Sequence, residues 1–86
     1  MSSIRFDGVR FVAYPEDHEP CHVHGFYAEI EVIVELHERP TKEAALGDRT
    51  RAVRPGDASR ADVKHVLRVA TKHFDELVKL WEEAHA

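Results

Sequence analysis

The sequence is poor in cysteine and has no long hydrophobic run. Its single cysteine, Cys21, excludes a framework of intramolecular disulfides. The longest apolar-biased stretch, residues 30–36, is interrupted by Glu31 and Glu35 and is far shorter than the ~20 apolar residues of a membrane-spanning helix. No charged, apolar and then small-residue segment of the secretory type opens the chain. We therefore expect a soluble cytoplasmic protein with no membrane partner.

Chain length and charge distribution restrict the number of domains and the kind of partner. The 86 residues suffice for one modest core, so we predict a single domain over residues 1–86, with a β-rich part at 1–58 and a helical part at 59–86. Residues 1–40 carry three basic against eight acidic side chains, whereas residues 41–86 carry nine against eight. The second part therefore offers a local basic surface to an acidic partner.

The first part of the chain has sequence patterns that are typical of β-strands. Residues 9–14 follow an Asp7-Gly8 turn signal and are rich in β-branched and aromatic side chains, which predicts a strand. Residues 29–36 alternate apolar and acidic side chains, so the even-numbered positions should face the core. Residues 22–24 resume an extended pattern, and we predict a bulge or tight hairpin at 25–28 that leaves the direction of the histidines open. Near residues 50–53, the sequence is compatible with either a short strand or a loop.

The last part has the period of a helix. From residue 59 to 84, apolar side chains recur at steps of three and four, and Ser59 with Asp62 approximates a capping box. We therefore predict an α+β fold, with an antiparallel meander of three or four strands followed by one long C-terminal helix packed on one face.

Three histidines gather around Pro20. In a strand, the spacing His22-x-His24 puts both rings on one face with Cα atoms about 7 Å apart, a common way to build two metal ligands. His18 could supply a third ligand, and His65 or His73 on the helix a fourth. Our candidate ligand set for a divalent transition metal is His18, His22, His24 and His73. The alternative is that these rings pack and hydrogen-bond without metal.

Other groups suggest other chemistry. Cys21 adjoins His22, where an imidazolium could lower the pKa of the thiol and create a nucleophile. A line of basic side chains repeats every four residues along the helix, at Arg60, Lys64, Arg68 and Lys72. Docked against the acidic row of a second copy, at Glu29, Glu31 and Glu35, this line could support a dimer. Nucleic acid is a less favoured partner because the chain is acidic overall.

These motifs together resemble a bacterial domain-of-unknown-function family, number 4160. The matching residues are Phe6-Asp7-Gly8, the block Asp17-His18-x-Pro20-x-His22-x-His24, the acidic alternating strand, and His73-Phe74-x-Glu76-Leu77-x-x-x-Trp81. Cys21 replaces a proline usual in that family. The resemblance implies a small cytoplasmic β-then-α domain from toxin and antitoxin type gene pairs, acting with another small protein.

Our first hypothesis is a non-enzymatic binding or regulatory module. It would engage a second small protein, a second copy of itself, or both, through His18, His22, His24 and the basic helix line. The alternative is a small metal-dependent hydrolase or nuclease in which His18, His22 and His24 hold the metal and Asp17 or Glu19 acts as the base.

Overall fold

An antiparallel sheet covered by two helices forms the fold in a computed structural model that describes residues 2–47 and 52–86. Its strands are β1 (Ser2–Phe6), β2 (Val9–Ala13), β3 (His22–Tyr27), β4 (Ile30–His37), β5 (Glu43–Leu46) and β6 (Val53–Arg54). The strand order is β1-β2-β3-β4-β5, and β6 pairs with β4 beside β5. The α+β class and the antiparallel meander are confirmed. The prediction of three or four strands was too low, because β1 pairs with β2 across the Asp7-Gly8 turn and two short strands line one edge of β4.

The hairpin between β3 and β4 decides which face each side chain takes. Ala28 and Glu29 have φ angles of 47° and 66°, the left-handed pair that a two-residue type I′ turn requires. The turn thus lies later than the predicted break at 25–28, and Gly25 belongs to β3. The even-numbered residues of β4 face the core, as the alternation predicted. His22 and His24 pair with Glu35 and Ile33 and therefore project from the other face.

The helical part is broken at His73 into α1 (Arg60–Lys72) and α2 (Phe74–Ala84), so the prediction of one long helix was wrong. A straight helix over residues 60–84 would be about 37 Å long. The longest dimension of the fold is only 34 Å. The Thr71 hydroxyl donates to the carbonyl oxygen of Leu67 at 2.9 Å just before the break, a bond that often bends helices.

The break lets the helices cover different strands. α1 packs on β3, β4 and β5, whereas α2 packs on β1 to β4. The largest fully buried side chains of the core between the sheet and the helices are Phe11, Leu77, Val9, Val23, Val32, Val34 and Val66. Val12 is also buried, but it pairs with His24 and therefore lies on the opposite face of the sheet. Ser59 precedes α1 as predicted but makes no side-chain capping bond. Within the part of the chain described, neither helix is long and apolar enough to cross a membrane.

Candidate metal centre

Two histidines of β3 converge on one carboxylate. The loop between β2 and β3 turns back over the start of β3, helped by a bond from the Asp17 amide to the carbonyl oxygen of Tyr14 at 3.1 Å. Asp17 Oδ2 then lies 2.9 Å from His24 Nε2 and 3.2 Å from His22 Nε2. One oxygen atom thus faces both rings.

The opposite nitrogen of each ring is held by a different acceptor. His22 Nδ1 donates to the carbonyl oxygen of Pro20 at 2.8 Å, and His24 Nδ1 donates to Glu31 Oε2 at 2.9 Å. Such bonds to a backbone carbonyl and a carboxylate are those that orient histidines for metal coordination, because they fix the ring and direct Nε2 towards the ion. Both rings are therefore aimed at the same point.

The three groups together could hold a metal ion. One ligand atom from each of Asp17, His22 and His24 lies within 4.8 Å of the other two. The His22 and His24 side chains are 9% and 14% exposed, and that of Asp17 is 25% exposed, so the point is shielded but reachable. Two imidazoles and one carboxylate suit zinc and its neighbours in the first transition series.

The last turn of α2 closes one side of the site. The Trp81 ring lies against the His22 ring, with centroids 5.1 Å apart, and the His85 ring lies 3.8 Å from that of Trp81. His85 Nδ1 donates to the Trp81 carbonyl oxygen at 2.8 Å, and His85 Nε2 donates to that of Asp17 at 2.7 Å. These two bonds raise the pKa of His85, because both are made fully only by the protonated ring. The helix end is therefore tied to the loop that carries Asp17.

Comparison with known families places the chain. The model of the family described as Domain of unknown function (DUF4160) matches residues 8–82. The chain belongs to this family. No significant match was found among curated proteins or among solved structures. The matched range covers the whole candidate metal centre of this DUF4160 chain but ends before His85.

The other histidines proposed as ligands lie elsewhere. His18 is exposed and is outside the group that converges on Asp17. His73 stacks on Phe6 at a centroid distance of 3.7 Å and contacts Glu76 at 3.0 Å. His65 contacts the carbonyl oxygen of Asp7 at 3.1 Å. Among the described residues, the group with convergent ligand atoms is Asp17, His22 and His24, so the candidate base Asp17 takes the place given to His18.

The parts played by Glu31 and His85 were missed in the sequence. The alternation predicts Glu31 as an outward-facing strand residue and as part of the acidic row, whereas its bond to His24 depends on the hairpin register. His85 lies 68 residues from Asp17, and a basic side chain at a helix end was its only local signal.

Cys21 has the opposite chemistry to that of an activated nucleophile. Burial, and then the negative charges of Glu19, Glu38 and Glu82, raise the pKa of its thiol to about 11. The thiol is therefore protonated near neutral pH, and the hypothesis of an imidazolium that lowers its pKa is not supported.

The basic line on α1 and the acidic row of glutamates differ in how many of their side chains have partners of opposite charge within the chain. Arg60, Lys64 and Arg68 are exposed on α1, and Lys72 lies 3.6 Å from Asp7. On the acidic row, Glu31 is bonded to His24, and Glu35 lies 3.1 Å from His37. Two of the three carboxylates in the predicted dimer contact, Glu31 and Glu35, therefore already have partners within the chain.

Proposed function

We propose that this DUF4160 chain is a small metal-binding module in which Asp17, His22 and His24 hold one divalent transition metal ion. The observation that carries the proposal is the aim of both Nε2 atoms at one Asp17 oxygen while both Nδ1 atoms are held from behind. His85 also has a partner at each ring nitrogen, but its partners are two separate backbone carbonyl groups. The distinguishing feature of His22 and His24 is that their Nε2 atoms face the same carboxylate oxygen.

The spacing fits an ion. Ligand atoms at the 2.0–2.1 Å bond lengths of zinc in a tetrahedral site lie about 3.3 Å apart. The Asp17 oxygen is already 2.9 and 3.2 Å from the two nitrogens, and all three ligand atoms lie within 4.8 Å of one another, so small shifts of the loop and the rings would bring them to this spacing. Metal would replace the proton that His24 Nε2 shares with Asp17, and Glu31 would keep the ring in orientation.

We further propose that the module acts by binding a second protein. Three protein ligands leave a coordination position for a group of the partner or for water. In line with the family resemblance, that partner is a second small protein of a toxin and antitoxin type gene pair. Recovery of such a partner from the native host should depend on metal and should fail with His24→Gln. Recovery of equal amounts by the parent and by His24→Gln would contradict a metal-dependent contact.

Metal titration of untagged protein tests the ligand set. After treatment with a chelator, the parent chain should take up one equivalent of cobalt(II), with the visible absorption of a low-coordinate site. In a separate sample loaded with zinc, elemental analysis should recover one zinc per chain. His22→Gln and His24→Gln should each abolish this uptake. His18→Gln and His37→Gln change histidines outside the group and serve as matched controls that should retain it. No uptake by the parent, or equal loss in the controls, would refute the proposal.

A metal-dependent hydrolase is the second candidate, favoured by the same open position. In that case Asp17 serves as a ligand, and the exposed Glu19 remains as the candidate base. The metal-loaded chain should then hydrolyse a phosphodiester, and Glu19→Gln should lose turnover while retaining metal. Turnover that is unchanged by His24→Gln would assign the activity to a contaminant.

A further inference from the structure

A row of arginines and one phenylalanine crosses the sheet on the face opposite the helices, which we call the outer face. The strand register pairs Arg5 with Arg10, Arg10 with Phe26, Phe26 with Glu31, and Glu31 with Arg54. Paired residues of antiparallel strands project to the same face. The row therefore spans four strand spacings, or about 19 Å.

The three arginines do not stabilise the fold through their charges. Arg5 lies directly opposite Arg10, and like charges in that position destabilise a strand pair. Among the described residues, Arg5, Arg10 and Arg54 form no ion pair with a carboxylate. Glu31, the acid within the row, is turned to His24 instead. The guanidinium groups are thus available to a ligand.

An aromatic ring and a cavity accompany the arginines. The Arg10 guanidinium lies 5.9 Å from the centroid of the half-buried Phe26 ring. On the side of Phe26 towards β6, the ring and Arg54 line an open cavity of about 410 Å³, together with Glu29 and Glu31. That volume is in the range of ligand sites. In the row, Phe26 lies next to Arg10, and Glu31 separates it from Arg54. A flat ring beside a cation suits a ligand that carries both planar groups and negative charge.

We infer that the outer face binds a single-stranded nucleic acid, with a base stacked on Phe26 and phosphates on Arg5, Arg10 and Arg54. A row of about 19 Å is longer than one phosphate group needs, and stacking on a protein ring requires an unpaired base. The inference does not rest on metal binding. It does place the bound nucleic acid beside His24, which lies two residues from Phe26, or about 7 Å along β3.

The test compares two basic surfaces on opposite sides of the fold. Anisotropy of labelled RNA and DNA strands of about eight nucleotides is measured over a range of salt concentrations, with chelator present. The outer-face variant is Arg5→Gln with Arg10→Gln and Arg54→Gln. The control variant, Arg60→Gln with Lys64→Gln and Arg68→Gln, removes the same charge from α1.

The outer-face variant should bind at least about tenfold more weakly than the parent, with the slope of log K against log salt reduced by about 2, since each phosphate contact contributes about 0.7. Phe26→Leu should weaken binding about fivefold or more through lost stacking. The α1 variant should stay within about twofold of the parent.

Three results would overturn the inference: no binding by the parent, an equal loss in the α1 variant, or a duplex that binds as tightly as the single strand. Circular dichroism melts check folding, and removal of the Arg5–Arg10 repulsion should not lower the melting temperature. If the triple variant fails to fold, Arg5→Gln and Arg54→Gln are tested singly. Binding by either single variant equal to that of the parent would then overturn the inference.

Discussion

Replacing Gly25 with alanine would test how closely the sheet and α1 pack behind the candidate metal centre. A Cβ atom at this position would lie 2.7 Å from Val66 Cγ1 and 3.3 Å from Phe11 Cε1. Both neighbours are fully buried. Val66 is β-branched and helical, so it has one strongly preferred rotamer and cannot turn away at little cost.

The expected loss follows from two opposing effects. Overfilling a packed core costs typically about 1–3 kcal/mol. Alanine would recover about 0.5–1 kcal/mol, because glycine loses more backbone freedom in a strand. The difference between these two effects spans about 0–2.5 kcal/mol. Because Val66 cannot turn away, we expect a net destabilisation of about 1–2 kcal/mol. At about 4–8 °C per kcal/mol for a domain of this size, the melting temperature should fall by about 4–16 °C.

Thermal and urea unfolding followed by circular dichroism measure this loss. Gly56→Ala is the matched control, because a Cβ atom at Gly56 meets no atom within 4 Å, and its effect should stay within about 0.5 kcal/mol. Adding Val66→Ala to Gly25→Ala should show a favourable coupling in a double-mutant cycle, since it removes the clashing methyl group. A Gly25→Ala protein as stable as the parent would show that α1 does not approach β3 this closely.

The remaining predictions concern the groups around the candidate metal centre. Glu31→Gln should weaken cobalt(II) affinity by about 10–100-fold in a spectroscopic titration, because it removes the carboxylate that accepts from His24 Nδ1 and orients the ring. An unchanged affinity would contradict that role. His85→Phe keeps a ring beside Trp81 but removes both donors. Since the folded pKa of His85 is raised, its contribution to stability is full below the unfolded value of 6.5 and is lost as the pH rises through the folded value. The urea midpoints of the metal-free parent and His85→Phe should therefore differ more at about pH 5.5 than at about pH 9, and equal differences would refute this account. With a thiol pKa of about 11 instead of 9.0, Cys21 should react with a thiol reagent at pH 8 about a hundredfold more slowly than in urea-unfolded protein, and equal rates would show an exposed thiolate.

Patterns of short range predicted much of this fold. The alternation over residues 29–36 correctly identified the buried face of β4, and the spacing of His22 and His24 correctly placed both rings on one side of β3. Both inferences depend only on the two-residue period of an extended chain. The predicted break at 25–28 differs from the observed turn because Ala28 and Glu29 adopt left-handed angles without the glycine or asparagine that usually signals them.

The break of the helical part depends on its surroundings. The apolar period continues through His73, so the sequence alone favours one helix. A straight helix would overrun the fold, and the stacking of His73 on Phe6 of β1 is a contact between distant parts of the chain. The family resemblance was confirmed by a family model that matches residues 8–82.

By itself the sequence determined the α+β class, the buried face of β4 and the shared face of His22 and His24, because backbone geometry repeats these patterns over a few residues. Tertiary structure alone decided that Asp17, rather than His18, completes the group, and that Glu31 and His85 hold its members from behind. These partners lie 7 to 68 residues from the groups they contact. Only the register of the hairpin, the course of the β2–β3 loop and the docking of α2 bring them within hydrogen-bond distance.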